Sequence, residues 1–365
     1  QENSIVFVNA SITGHVTVRD GITKIGEGAF KSRKGLTSVT LPESCTVIDS
    51  YAFENCTALT DINFPEKLEL IGRNAFYNSG ITSLKLSQPG LHVGSFAFAY
   101  CHQLKSVEIT STDFDMMEYA FANCENLETA ILPPQVFRME GGCFTECTSL
   151  TTVVLPKNIT DVHGFKGCTS LKTIDIPDSV TRIDYNAFAE CESLESIHLP
   201  DGVTNIGGLA FAQCYALKEI NLPDSLTTIG EEAFRGVPIA EVVIPANVTE
   251  IADWTFYYNG ELRSLTLPDG LKKIGANAFC GASKLQSVEL PESLEEIGDA
   301  AFRESGLTSI TIPGNVKRLG GAFIYCKNLE KVSIAPGVET IGADAFLECP
   351  KLTEATLAST VTTIE

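Results

Sequence analysis

A phenylalanine returns every 21 to 23 residues along this 365-residue chain: Phe30, Phe53, Phe76, Phe98, Phe121, Phe144, Phe165, Phe188, Phe211, Phe234, Phe256, Phe279, Phe302, Phe323 and Phe346. Fifteen of the twenty phenylalanines are spent on this register. Around each one the chain rewrites a single line, L-x-x-I-x-L-P-x-x-V-x-x-I-G-x-x-A-F-x-x-C. It reads "IDYNAFAECESLESIHLPDG" from Ile183 and "IGGLAFAQCYALKEINLPDS" from Ile206. A unit this short cannot bury its own apolar face, whereas stacked copies cover one another. The repeat therefore predicts a solenoid cored by a ladder of Phe, Leu, Ile and Cys.

Within the unit, L-x-x-I-x-L alternates apolar and polar positions, as at Leu194, Ile197 and Leu199, and predicts a short strand with one buried face. The proline that often follows (Pro200, Pro223, Pro268, Pro291) lacks an amide donor and ends the ladder. V-x-x-I-G gives a second extended piece and a turn. G-x-x-A-F-x-x-C suits one or two helical turns, with Phe188 inward and Ala187 admitting the next coil. The expected fold is an α+β repeat solenoid of about 15 coils, with a parallel sheet on the concave side and short helical turns outside. The two 21-residue spacings, ending at Phe165 and Phe323, predict a shortened turn and no domain break.

Residues 4–18 alternate like a β-hairpin, so residues 1–15 are expected to cap the stack and 16–365 to form one continuous array. The sequence stops at "VTTIE", just before the next Gly-x-x-Ala-Phe, which reads as a fragment or as a half-coil lid.

The repeat line resembles the BspA-like leucine-rich repeat from about Val16 to Glu365. That resemblance implies a right-handed leucine-rich solenoid and a secreted or surface-exposed protein, of a kind found in host-associated bacteria and mucosal protozoan parasites. Adhesion to host matrix proteins, coaggregation or uptake would be its tasks. It supplies no ligand motif residue by residue.

Net charge is −20, from 46 acidic and 26 basic residues, a field that repels nucleic acid and anionic lipid. No apolar run is long enough to cross a membrane as a helix. Nine of the twelve cysteines fall three residues after the anchor, in a small-residue column, and predict buried inert thiols; disulfides between coils are the rival reading. The five histidines are scattered, and no nucleophile elbow, metalloprotease helix, phosphate loop or dinucleotide fingerprint occurs. No enzyme activity, cofactor or metal is expected.

Two surfaces remain as candidates. One is the polar side of the strands, at Asp175, Ser196, His198, Glu219, Asn221, Thr266 and Glu289. The other comprises two aromatic groups near the anchors: Phe96, Tyr100 and Tyr119, and Trp254, Tyr257 and Tyr258, placed either to pack between coils or to stack on sugar rings. The leading expectation is an extracellular scaffold that binds a host or neighbouring-cell protein. The alternatives are a passive spacer in a larger surface protein and a glycan- or mucin-binding module. No nucleic-acid partner and no membrane insertion are expected, and oligomeric state is open.

Overall fold

The strand expected from L-x-x-I-x-L forms, and it pairs in parallel with the same segment one repeat away. Ser106–Ile109 pairs with Ser83–Leu86 on one side and Thr129–Ile131 on the other, with Val107 opposite both Leu84 and Ala130. The V-x-x-I piece builds a second ladder of two-residue strands, such as Lys24–Ile25, Val47–Ile48 and Leu70–Ile71. The inward residue of each, Ile25, Ile48 and Ile71, is fully buried. The structure is a computed structural model. It describes the chain except residues 1–3, 6–8, 10, 112 and 137, and the side chains of 138 and 139 also lie outside the description. The chain groups into two compact units, Gln1–Ser179 and Val180–Glu365. Each is a parallel-strand β-solenoid, and the two carry about 15 turns between them.

At the N-terminus the expected hairpin is not what the described strands make. Ser4–Ile5 joins Lys24–Ile25 and Gly14–Thr17 joins Leu36–Thr40, both in parallel and in different sheets. Part of the expected hairpin, residues 6–8 and 10, lies outside the described residues.

The expected helical turns are replaced, and the α+β expectation is corrected accordingly: no helix occurs among the described residues. The segment around the anchor is instead a run of tight turns in which two positions take a left-handed backbone. In every coil except the two shortened ones, these positions stand two residues before and two after the phenylalanine, as at Asn186 (φ 57°) and Glu190 (φ 61°) around Phe188. The amides then alternate. Ala187 and Cys191 donate within their own turn to Asp184 and Phe188, whereas Asn186, Phe188 and Glu190 donate to the carbonyls of Gly208, Ala210 and Ala212 in the next coil. A helix would keep all these bonds to itself. Here half of them run along the stack, so the turn side is stitched coil to coil as a sheet would be.

Successive turns are therefore hydrogen-bonded to one another as successive strands are, and the expected outer helical turns are absent. Successive anchor rings stack nearly parallel, with centroids 4.9 Å apart at Phe30–Phe53 and 5.7 Å at Phe144–Phe165. In the second unit the range is 5.3 Å (Phe234–Phe256) to 5.7 Å (Phe323–Phe346). The shortened turns do not interrupt the ladder, since Phe144 and Phe302 still donate to Gly164 and Ala322. Each buried ring contributes about 2–3 kcal/mol by burial and about 0.5–1.5 kcal/mol more by stacking.

Close approach also explains the glycine of I-G. A Cβ on Gly207 would lie 2.7 Å from backbone atoms of Asp184 and Tyr185 in the preceding coil. No rotamer change relieves a clash with main chain.

The strand sheets are less continuous than the sequence suggests. Residues 217–222 and 285–290 of the second unit match the strand pattern yet take part in no described pairing. At 199–221 a side chain substitutes: Asn221 Nδ2 donates to the Leu199 carbonyl (2.8 Å) and its Oδ1 accepts from the Leu199 amide (2.9 Å).

Replacing Phe211, stacked on both sides, by alanine should cost about 3–5 kcal/mol. Exposed His198→Ala should cost well under ~1 kcal/mol. Urea melts giving the reverse order would invert the inside–outside register. Gly207→Ala should destabilise by about 1–3 kcal/mol. By contrast Ala300→Gly, at φ 56°, should stabilise by about 0.5–1 kcal/mol. Thermal unfolding of the two variants with equal shifts would contradict the left-handed turn assignment.

Candidate functional site

The cysteine column is solved by hydrogen bonding. Cys56, Cys124, Cys147 and Cys214 each point Sγ at the anchor carbonyl of the preceding coil, at 3.0 Å to Phe30, 3.2 Å to Phe98, 3.2 Å to Phe121 and 3.1 Å to Phe188. The Phe30 and Phe188 carbonyls already accept the amides of Arg33 and Cys191 at the end of their own turns, so there the thiol takes the second lone pair. Serine does related work at 79 and 305, each hydroxyl 3.3 Å from the next cysteine. All twelve thiols are free and eleven are buried. Coil spacing is not what keeps them apart, because the coils approach closely here. Burial pushes Cys143, Cys147 and Cys214 up to about 12. Cys349 is the one that is half-exposed, and it is brought down to about 7 chiefly by the hydrogen bond from the Cys326 thiol. Among the described residues no three His, Cys, Asp or Glu side chains converge where a metal ion could sit.

The strand-side residues separate into two kinds. Ser196, His198, Glu219, Thr266 and Glu289 are exposed in the second unit, as is Asp175 in the first. Asn221 is half-buried and committed to the Leu199 backbone, so it is part of the frame. Thr266 and Glu289 come together. With Arg263, Ser264, Ser287 and Ser309 they line a cavity of about 680 Å³ over three consecutive coils. It sits where residues 287–290 leave the strand ladder, between Ser264–Thr266 and Ser309–Ile312. Val288 and Leu290, whose counterparts Ile310 and Ile312 are buried, are half-exposed there.

The aromatic residues lie on the turn side, and five of the six occupy left-handed positions: Phe96, Tyr100, Tyr119, Trp254 and Tyr258. They pack and remain accessible at once. Phe96 stacks on Tyr119 at 5.0 Å, and Trp254 meets Tyr257 edge to face at 4.5 Å. Tyr258 is 57% exposed and lies on Gly281 of the next coil, where a Cβ would come within 2.6 Å of the ring. A neighbouring cavity of about 520 Å³ is lined by Ser283, Arg303, Glu304, Tyr325, Lys327 and Asn328. Sequence reasoning passed over it. The signal was present in the repeat register, because Tyr258, Glu304 and Tyr325 all stand two residues after an anchor.

The BspA-type leucine-rich repeat family model matches residues 3–91, 69–164, 161–261 and 249–365. The chain belongs to this family. Family members are repeat scaffolds, and leucine-rich repeat arrays generally bind proteins; no catalytic family is indicated. A leucine-rich repeat protein of Bacteroides ovatus is 24% identical with a TM-score of 0.63, covering 96% of this chain and 91% of that one. The pneumococcal vaccine antigen PcpA is 19% identical with a TM-score of 0.52, covering 98% and 92%. A leucine-rich cell surface protein of Faecalibacterium prausnitzii is 26% identical with a TM-score of 0.47, covering 98% and 91%. No curated protein matches the chain. Among the described residues no helix is long and apolar enough to cross a membrane.

A thiol reagent at pH 8 should modify Cys349 first, since it is the one thiol that is not buried and it is brought down to about 7, with the buried thiols reacting on the timescale of unfolding. Cys349→Ser should remove the fast phase. A fast phase that survives it would place the reactive sulfur elsewhere.

Proposed function

We propose that this protein is a non-enzymatic recognition scaffold, secreted or held at a cell surface, that binds a partner protein in the manner of an adhesin. The observation that carries the reading is the strand-side cavity around Thr266 and Glu289. Broad polar strands are ordinary solvated surface, but here the ladder opens over one coil. Backbone donors and acceptors without strand partners are strong hydrogen-bonding groups aimed at whatever enters. An extended segment of a partner protein can meet them, with Arg263 and Glu289 fixing its polarity. The net charge of −20 favours a basic partner and speeds its approach. Family membership and the missing catalytic constellation support a scaffold, and the family resemblance favours an extracellular place and host matrix or neighbouring-cell ligands.

A second reading, saccharide recognition by the turn-side aromatics, is favoured by one specific observation: Tyr258 is 57% exposed although it lies against Gly281 and the Tyr257 ring.

Surface plasmon resonance of the full chain against a panel of matrix proteins and mucin tests the leading reading. A protein ligand should bind, and Thr266→Arg with Glu289→Arg should weaken it at least roughly tenfold, about 1.4 kcal/mol, without shifting Tm. Silence across the panel favours a passive spacer. Binding untouched by the double variant moves the interface off this cavity.

A further inference from the structure

We propose that the turn-side trough from Tyr258 to Tyr325 is a binding site for an acidic saccharide. The inference rests on the saccharide reading above and narrows it to one site and one ligand class. Tyr258 and Tyr325 stand three coils apart, at anchor spacings of 5.4, 5.3 and 5.4 Å, a span a short oligosaccharide can bridge; the cavity itself is lined from Ser283 to Asn328, and Tyr258 stands beyond its edge. Both tyrosines, and Glu304 between them, occupy the same left-handed site of their coils, with φ of 58°, 59° and 59°. The intervening coil has Gly281 there, and Tyr258 lies down on it. Tyr258 also packs against the Tyr257 ring at 4.1 Å, yet it stays 57% exposed, and an exposed tyrosine ring is a platform for a pyranose face.

Polar groups then select the ligand. The Arg303 guanidinium sits 5.1 Å from the Tyr325 ring centroid and its Nε donates to Glu304 at 3.2 Å, an arrangement that fixes the orientation of its remaining donors. Lys327, on the same cavity, is exposed and takes part in no ion pair among the described residues. In a chain of net charge −20, a cavity with two cations and one carboxylate is a local exception. A carboxylate is the ligand group that a guanidinium beside an ammonium holds best. Glu304, Ser283 and Asn328 supply acceptors and donors for sugar hydroxyls around the same cavity. The Tyr257 phenol, held up to about 12 chiefly by its hydrogen bond with Tyr258, spends its proton on that neighbour. The shared chemistry is a pyranose bearing a carboxylate, whether a sialic or a uronic acid.

Isothermal titration of the full chain with sialyllactose, with a glucuronate-containing disaccharide and with neutral lactose tests this. One acidic sugar should bind at least roughly tenfold tighter than lactose, and which one does identifies the source of the carboxylate. Tyr325→Ala and the double variant Arg303→Gln, Lys327→Gln should each weaken it about tenfold with Tm unchanged, while Tyr185→Ala, an exposed tyrosine of another coil, should not. Lactose binding as tightly as the acidic sugars, and lost in Tyr325→Ala, would overturn the acidic preference and leave the saccharide reading standing. Failure of all three sugars to bind overturns both. Acidic-sugar binding that survives both variants overturns the site.

Discussion

The hydrogen bonds that leave each turn for the next coil are the constraint on which the rest depends. Alternate amides around every anchor donate along the stack, as Asn186, Phe188 and Glu190 do, and this sets one short rise for the turn side and the strand side alike. The phenylalanine rings follow: at that rise they can only lie face over face, which is how they are found. The glycine of I-G follows too, because the main chain of the preceding coil occupies the space a Cβ would need. The cysteine column follows from the second lone pair that anchor carbonyls such as that of Phe188 keep free.

That economy has a cost, borne by residues held at positive φ that are neither glycine nor asparagine. Leu209, Trp254, Tyr258 and Tyr325 all sit in a region that costs roughly 1–2 kcal/mol per residue for an L side chain. The stack over-determines their conformation, so the chain can place large aromatics at these sites and display them in fixed positions. Exposed aromatics and strain thus meet on the same two columns. On the strand side the proposed recognition surface lies where a coil leaves the ladder.

Much of this was legible. The anchor column, most of the inward face of the strands and the small-residue slot of the cysteines could be read because burial repeats with the sequence period; the anchors are buried up to the half-buried Phe346. The turn segment was misread as helical. Ala-Phe-x-x-Cys has helical spacing, but Asn55, Asn74, Asn78, Asn123, Asn186 and Asn277, with Gly28, Gly142, Gly236 and Gly281, recur two residues from the anchor. Asparagine and glycine in that register signal left-handed backbone and argue against a helix. Of the candidate site residues, Thr266 and Glu289 could be placed on an exposed face but not in a cavity, and Asn221 could not be known to spend its amide on Leu199.

The sequence by itself determined the period, the inward residues and therefore the solenoid, because no single unit can bury its own apolar face. Only the tertiary structure decided the rise per coil and, through it, whether the outer segment is helix or stitched turns, because that choice turns on where amides find partners in a neighbouring copy. The same level decided where the strand ladder opens and which aromatics from different coils share one trough, since each is a relation between repeats and belongs to none of them alone.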